Sequence, residues 1–183
     1  ALIIQRPHPD GSACTAWPAG TTALSAVTVG PGCGPVIDGV ATDMLTTLSV
    51  DSALDAIPVF SFNVAGHTAT VALPAQAPDG LDISNGGPDD VRVGDLMMFT
   101  KGSTSALVYV TSVSGAQTFT FGGGDPMNLN QFDAALNGTV DDLATTAPTT
   151  ANSANVSRIR MITYYLDTSI DPATPRLIRH MNW

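Results

Sequence analysis

Apolar positions in the second half of this chain fall into short runs broken by turn residues, which is the pattern of strands and not of helices. Residues 91–100 predict a strand interrupted at Gly94, followed by a polar turn over 101–104. Residues 106–113 predict the next strand, and residues 117–121 a third after Ser114 and Gly115. Far downstream, residues 159–166 and 176–183 read as a hairpin-like pair. On the first of these, Ile159, Met161, Thr163 and Tyr165 share one face. Arg158, Arg160, Ile162, Tyr164 and Leu166 share the other. Neither face is wholly apolar. The expectation is that Ile162, Tyr164 and Leu166 turn inward, with Leu177 and Arg179 beside them.

The first half is less regular. Residues 1–35 hold five prolines and several glycines, which forbid a long helix, so an irregular segment is expected there with one short strand near 24–29. Residues 36–50 lead from a turn into a strand whose alternation is imperfect. Residues 51–57 predict a helical turn capped by Asp51 or Ser52 and ended by Pro58. Residues 59–62 and 68–73 predict a strand pair across Gly66. Residues 74–90 read as a Pro-, Gly- and Asp-rich loop, and residues 122–157 as a long surface loop. The whole, residues 1–183, is expected to be one domain.

Composition sharpens this picture. Only 13% of the residues are charged, while 44% are hydrophobic, with 17 Gly and 13 Pro. The Lys and Glu that fill exposed helix faces are scarce. The net charge is −9 with only 7 Lys and Arg, which leaves no basic face for a phosphate backbone, so no nucleic-acid partner is expected. The one local basic group, Arg158, Arg160, Arg176 and Arg179, reads first as a solvated strand face. The longest apolar runs fall far short of a membrane-spanning helix.

Two cysteines, Cys14 and Cys33, lack metal-ligand spacing, and a disulfide between them in an extracytoplasmic compartment is the better reading. Closing a loop of that size stabilises by about 3 kcal/mol in the chain-entropy model. The histidines, His8, His67 and His180, are scattered, and no nucleophile elbow or phosphate loop occurs, so catalysis is not expected. Asp125, Asn128, Asn130 and Asp133 offer oxygen ligands within one loop, as calcium prefers. Asp79, Asp82, Asn85, Asp89 and Asp90 form a second such set. The plainer reading of both is solvated turn residues. No cofactor is expected, and calcium is the one candidate.

The order of the strand segments, Val93–Phe99 entered through Gly94 and Asp95, then Ala106–Val113, an Asn-containing loop, Arg158–Leu166 and Pro175–Arg179, resembles the globular part of PilW-type minor type IV pilins. More loosely it is similar to the J-type pseudopilins of type II secretion. The stretch from Gly39 to Leu45 adds a further matching piece, and the likeness spans about residues 36–183. The resemblance implies an α+β, β-rich fold with a twisted antiparallel sheet and long loops. It also implies an N-terminal anchoring helix that packs on the sheet and lies outside this chain. The implied function is a structural subunit of a pilus or secretion filament, at assembly or at the tip. Its partners would be other pilin or pseudopilin subunits and, through that helix, the inner membrane. Its location would be the periplasm or a cell-surface pilus. The competing class is a β-rich extracellular adhesin or virion structural module; a secreted hydrolase is a distant third.

Overall fold

The computed structural model describes residues 5–7, 13–15, 25–63, 65–71, 91–102, 104–115, 118–127, 129–130 and 154–181. Their strands, in chain order, are β1 (Gln5–Pro7), β2 (Ala13–Thr15), β3 (Val27–Gly30), β4 (Val36–Ile37), β5 (Val40–Ala41), β6 (Met44–Val50) and β7 (Ile57–Asn63). Then come β8 (Thr68–Val71), β9 (Leu96–Lys101), β10 (Thr104–Tyr109), β11 (Ser112–Ser114), β12 (Thr118–Thr120), β13 (Asn155–Asp167) and β14 (Arg176–Met181). The chain forms two compact units, Val50–Ile159 and Ala1–Ser49 with Arg160–Trp183. The boundary between them falls inside β13.

The α+β expectation is corrected: among the described residues the fold is all-β, with antiparallel sheets and no helix. The one predicted helical turn shows why. The Ala53 N–H donates to the Asp51 carboxylate at 3.1 Å and the Leu54 N–H to the Asp51 carbonyl at 3.0 Å, so a first turn does form. Ala56 then takes a left-handed φ of 52°, which leaves the helical region. Pro58 biases Ile57 toward extended backbone, and β7 begins there.

In the Val50–Ile159 unit the strands run in the order β10-β9-β13-β7-β8-β12-β11, each antiparallel to its neighbour. Strand β9 starts later than the sequence suggests. The Arg92 and Asp95 N–H groups close a tight turn with each other's residues at 3.0 Å, and Gly94 holds φ at 98°, open only to glycine. The core is built on Phe99, Phe119 and Phe121, all fully buried. Their rings interlock with half-buried Phe62: Phe62 meets Phe99 edge-on at 5.2 Å, and Phe99 stacks on Phe119 at 5.9 Å. Val59, Val71, Met97, Val108, Val110 and Val156 fill the space around them.

In the other unit, β1 pairs with β2 and β4 pairs with β5. Asp38 and Gly39 join β4 to β5 with positive φ values of 50° and 80°, the two-residue turn that matches strand twist. The larger sheet runs β3-β6-β13-β14. Its buried side holds Met44, Thr46, Met161 and Thr163, and Cys33 and Tyr165 pack with Met44. Gly34 is fixed by close approach, since a Cβ there would collide with the Thr42 hydroxyl.

The inward face of β13 is the reverse of the one expected. Met161 and Thr163 are buried, whereas Ile162, Tyr164 and Leu166 are half-exposed. The physical reason lies in what faces β13 on that side: Met44 and Met161 are buried there, and the Thr46 and Thr163 hydroxyls satisfy one another in a buried hydrogen bond of 3.0 Å, so Thr163 is buried without an unpaired polar group. A one-residue slip would carry every side chain to the other face. Accordingly, Met161→Ala will lower stability by about 2–5 kcal/mol, whereas Ile162→Ala will cost about 1 kcal/mol. Urea denaturation of the two variants checks the order, and a larger loss at Ile162 contradicts it.

Candidate functional site

Two of the calcium candidates, Asp125 and Asn130, fall in the segment after β12. Asp125 is buried there, with one carboxylate oxygen accepting the Met127 and Leu129 N–H groups at 3.0 and 3.1 Å and the other accepting the Asn130 N–H at 2.9 Å. Asn130 is buried as well. Its Oδ1 accepts the Tyr109 N–H, and its Nδ2 donates to the Tyr109 and Gly122 carbonyls, each at 2.8 Å. The Asn130 amide thus does for Tyr109 what a neighbouring strand's peptide would do. It satisfies both backbone groups at the end of β10. These two residues act as turn organisers, since their oxygens face N–H donors. Asn128, Asp133 and the set Asp79, Asp82, Asn85, Asp89 and Asp90 lie outside the described residues. Among the described residues, no group of three or more His, Cys, Asp or Glu side chains is placed to hold a metal ion.

Cys33 is disulfide-bonded. The Cys14 side chain lies outside the described residues. The two described histidines, His67 and His180, lie in different elements of the chain. His67 sits at a left-handed φ of 49° in the β7–β8 turn, where its carbonyl accepts the Phe121 N–H at 2.9 Å. His180 lies on β14 opposite Thr163, and His8 is outside the described residues.

The arginines divide by task. Arg158 donates through Nε to Asp51 at 2.8 Å, and its terminal nitrogens stand 2.7 Å from Asp51 and 3.6 Å from Asp95. Asp51 is buried and Arg158 nearly so, which makes this clasp a structural tie between the turn at 51–54 and β13. Burial raises the Asp95 carboxyl above the ordinary range, against the lowering effects of the Arg92 N–H and the Arg158 guanidinium. Arg176 stands opposite Asp167, whose carboxyl is held below its usual range first by hydrogen bonds from Ser169. Arg179 stands opposite Tyr164.

What the alternation leaves outside is the most distinctive surface. On the side of the β3-β6-β13-β14 sheet opposite Met44 and Thr163 lie Val27 and Val29 of β3 and Leu45 of β6. Ile162, Tyr164 and Leu166 of β13 and Leu177, Arg179 and Met181 of β14 continue the same side. Val27, Val29, Leu177 and Met181 are more than half exposed, with Leu177 at 71%. A groove of about 460 Å³ runs over this surface, lined by Val29, Asp43, Leu45, Tyr164, Leu166 and Leu177, with Met44 and Tyr165 also contributing. Contiguous apolar surface of this kind marks an interaction site more often than bare chance would place it on a monomer. The sequence signal was present in β13, whose two faces are both rich in apolar residues. A strand of that kind asks for cover on both sides.

No protein-family model, no curated protein and no solved structure matches this chain. The surface must therefore be interpreted from its own chemistry. It is apolar and aromatic, with one guanidinium near its middle, and it has no arrangement of nucleophile and base. Its composition is close to that of the apolar centre of a protein–protein interface.

Two outcomes test the polar sites. Asp125→Ala removes the acceptor of three buried N–H groups and will destabilise by about 2–4 kcal/mol, measured by chemical denaturation. Asp95 has a folded pKa above its unfolded one, so ionising it opposes folding. Its contribution is unfavourable above the folded pKa and is relieved as pH falls through it. The stability of Asp95→Asn relative to the parent will therefore rise with pH across about pH 3–6 and then level off. A difference that falls with pH contradicts the assignment.

Proposed function

We propose that this chain is a non-catalytic structural module that works by docking through the open apolar face of its β3-β6-β13-β14 sheet. The setting that fits best is a minor pilin or pseudopilin-type subunit of a type IV pilus or related secretion filament, acting in assembly or at the tip. The observation that carries this reading is the row of Val29, Leu45, Tyr164, Leu166 and Leu177 left uncovered beside a groove. A filament subunit needs such a surface, because assembly removes apolar area from water. The order of strand segments from residue 91 onward supports the same family of machines. The Cys33 disulfide suits an oxidising, extracytoplasmic compartment. The partners would be other pilin or pseudopilin subunits.

The all-β architecture favours one second reading, a β-rich extracellular adhesin or virion structural module. Genetics in the source organism separates the two. Deleting the gene will impair piliation or secretion. The unaltered gene will restore it, and a gene carrying Leu177→Glu will not, although that exposed change alters stability by less than about 0.5 kcal/mol. Normal filaments and secretion in the deletion strain, with surface attachment lost, would replace the subunit reading by the adhesin one.

A further inference from the structure

We infer that the open face of the β3-β6-β13-β14 sheet pairs with the same face of a second copy of this chain, Arg179 of each copy meeting Asp43 of the other. This rests on reading that face as a docking surface, and it names the occupant.

The argument starts from Arg179. It lies on β14 between the exposed side chains of Leu177 and Met181 and opposite Tyr164. Among the described residues its guanidinium makes no ion pair and no hydrogen bond. Any occupant that covers Leu177 and Tyr164 also takes this guanidinium out of water. An apolar cover without an anion would strand the charge, so the occupant must bring a carboxylate. Arg160, at one end of the same face, is already engaged within the chain.

A carboxylate stands on this very face. Asp43 is exposed and lines the groove with Leu45 and Leu177. The Gly32 N–H donates to one of its oxygens at 2.9 Å, which orients the group without neutralising it. Asp43 and Arg179 form no ion pair within one copy. In a two-fold contact, residue i of one copy meets residue j of the other, and j meets i. A face carrying one unpaired cation and one oriented anion is therefore complementary to itself. Its shape agrees: Leu177, 71% exposed, is a ridge beside the groove that would receive the ridge of the second copy. Tyr, Met and Arg are also the residue types that concentrate binding energy at interfaces.

Two chains of net charge −9 repel one another over most of their surfaces. They approach most easily where apolar contact and paired charge coincide, and this face offers both. The apolar face spans four strands of one small sheet, less than the ~800 Å² per partner of a standard interface calls for, so the dimer is expected to be weak and to appear only at concentrations above about 10 µM.

Sedimentation velocity of the whole chain from about 1 to 500 µM tests this directly. A reversible dimer is expected. Arg179→Asp and Asp43→Arg will each weaken it by about 10–100-fold, and Leu177→Glu will abolish it. An equimolar mixture of the two charge variants will dimerise again, because each then supplies the charge the other lacks. Thermal unfolding of each variant verifies that the exposed substitutions leave the fold intact. A chain that stays monomeric at the highest concentration overturns the proposal, as does a dimer indifferent to Arg179→Asp and Leu177→Glu. So does a mixture no tighter than its components. These failures are distinct from failure of the docking reading itself. A monomeric chain whose Leu177→Glu gene still does not restore filaments has a docking face with another occupant. Full restoration by that gene removes the docking role altogether.

Discussion

Residues 155–167 lie in a single strand, and successive side chains of a strand must point to opposite faces. Because of that constraint, burying one set of residues settles the fate of the rest. Thr163 faces inward, hydrogen-bonded to Thr46, and Met161 and Tyr165 lie on the same side. Ile162, Tyr164 and Leu166 are left on the other side. The pairing of β13 with β14 then brings Leu177, Arg179 and Met181 alongside them. The open apolar face is thus the necessary complement of the buried one.

Charged and amide groups in this chain serve the frame. Asp51 and Arg158 are held together where water is scarce, and breaking such a pair leaves an uncompensated buried charge. Asp125 gathers three N–H groups of an irregular turn that has no strand partner to satisfy them. Asn130 completes the end of β10 in the same manner. Asp125 and Asn130, which look like candidate ligands in the sequence, are thereby engaged by backbone groups. The two roles draw on the same property, a short side chain with oxygens that can reach a nearby turn.

One unit has a dense aromatic core around Phe99, Phe119 and Phe121. The other has a small buried cluster around Cys33, Met44 and Tyr165, a disulfide, and a broad apolar surface. Small cores gain most from covalent closure and from partners. The surface that a partner would cover lies in the unit with the smaller described core.

The sequence by itself determined the local elements. Short apolar runs with turn residues between them located β9, β10, β12, the β7–β8 pair across Gly66 and the β13–β14 hairpin, each within a few residues. Gly94 marked a real break, because its φ of 98° excludes other residues. The absence of helix among the described residues was half-legible in the scarcity of Lys and Glu. The turn at 51–57 went the other way, since Asp51 can begin a helix and only Ala56 and Pro58 together stop it. What the tertiary structure alone decided was direction. Both faces of β13 are apolar enough to be buried, so periodicity cannot choose between them. The choice depended on β6, distant in sequence, whose Met44 and Thr46 meet Met161 and Thr163 on the buried side. The same holds for Asp125 and Asn130: their spacing names what they could bind, and only the fold shows the N–H groups that reached them first.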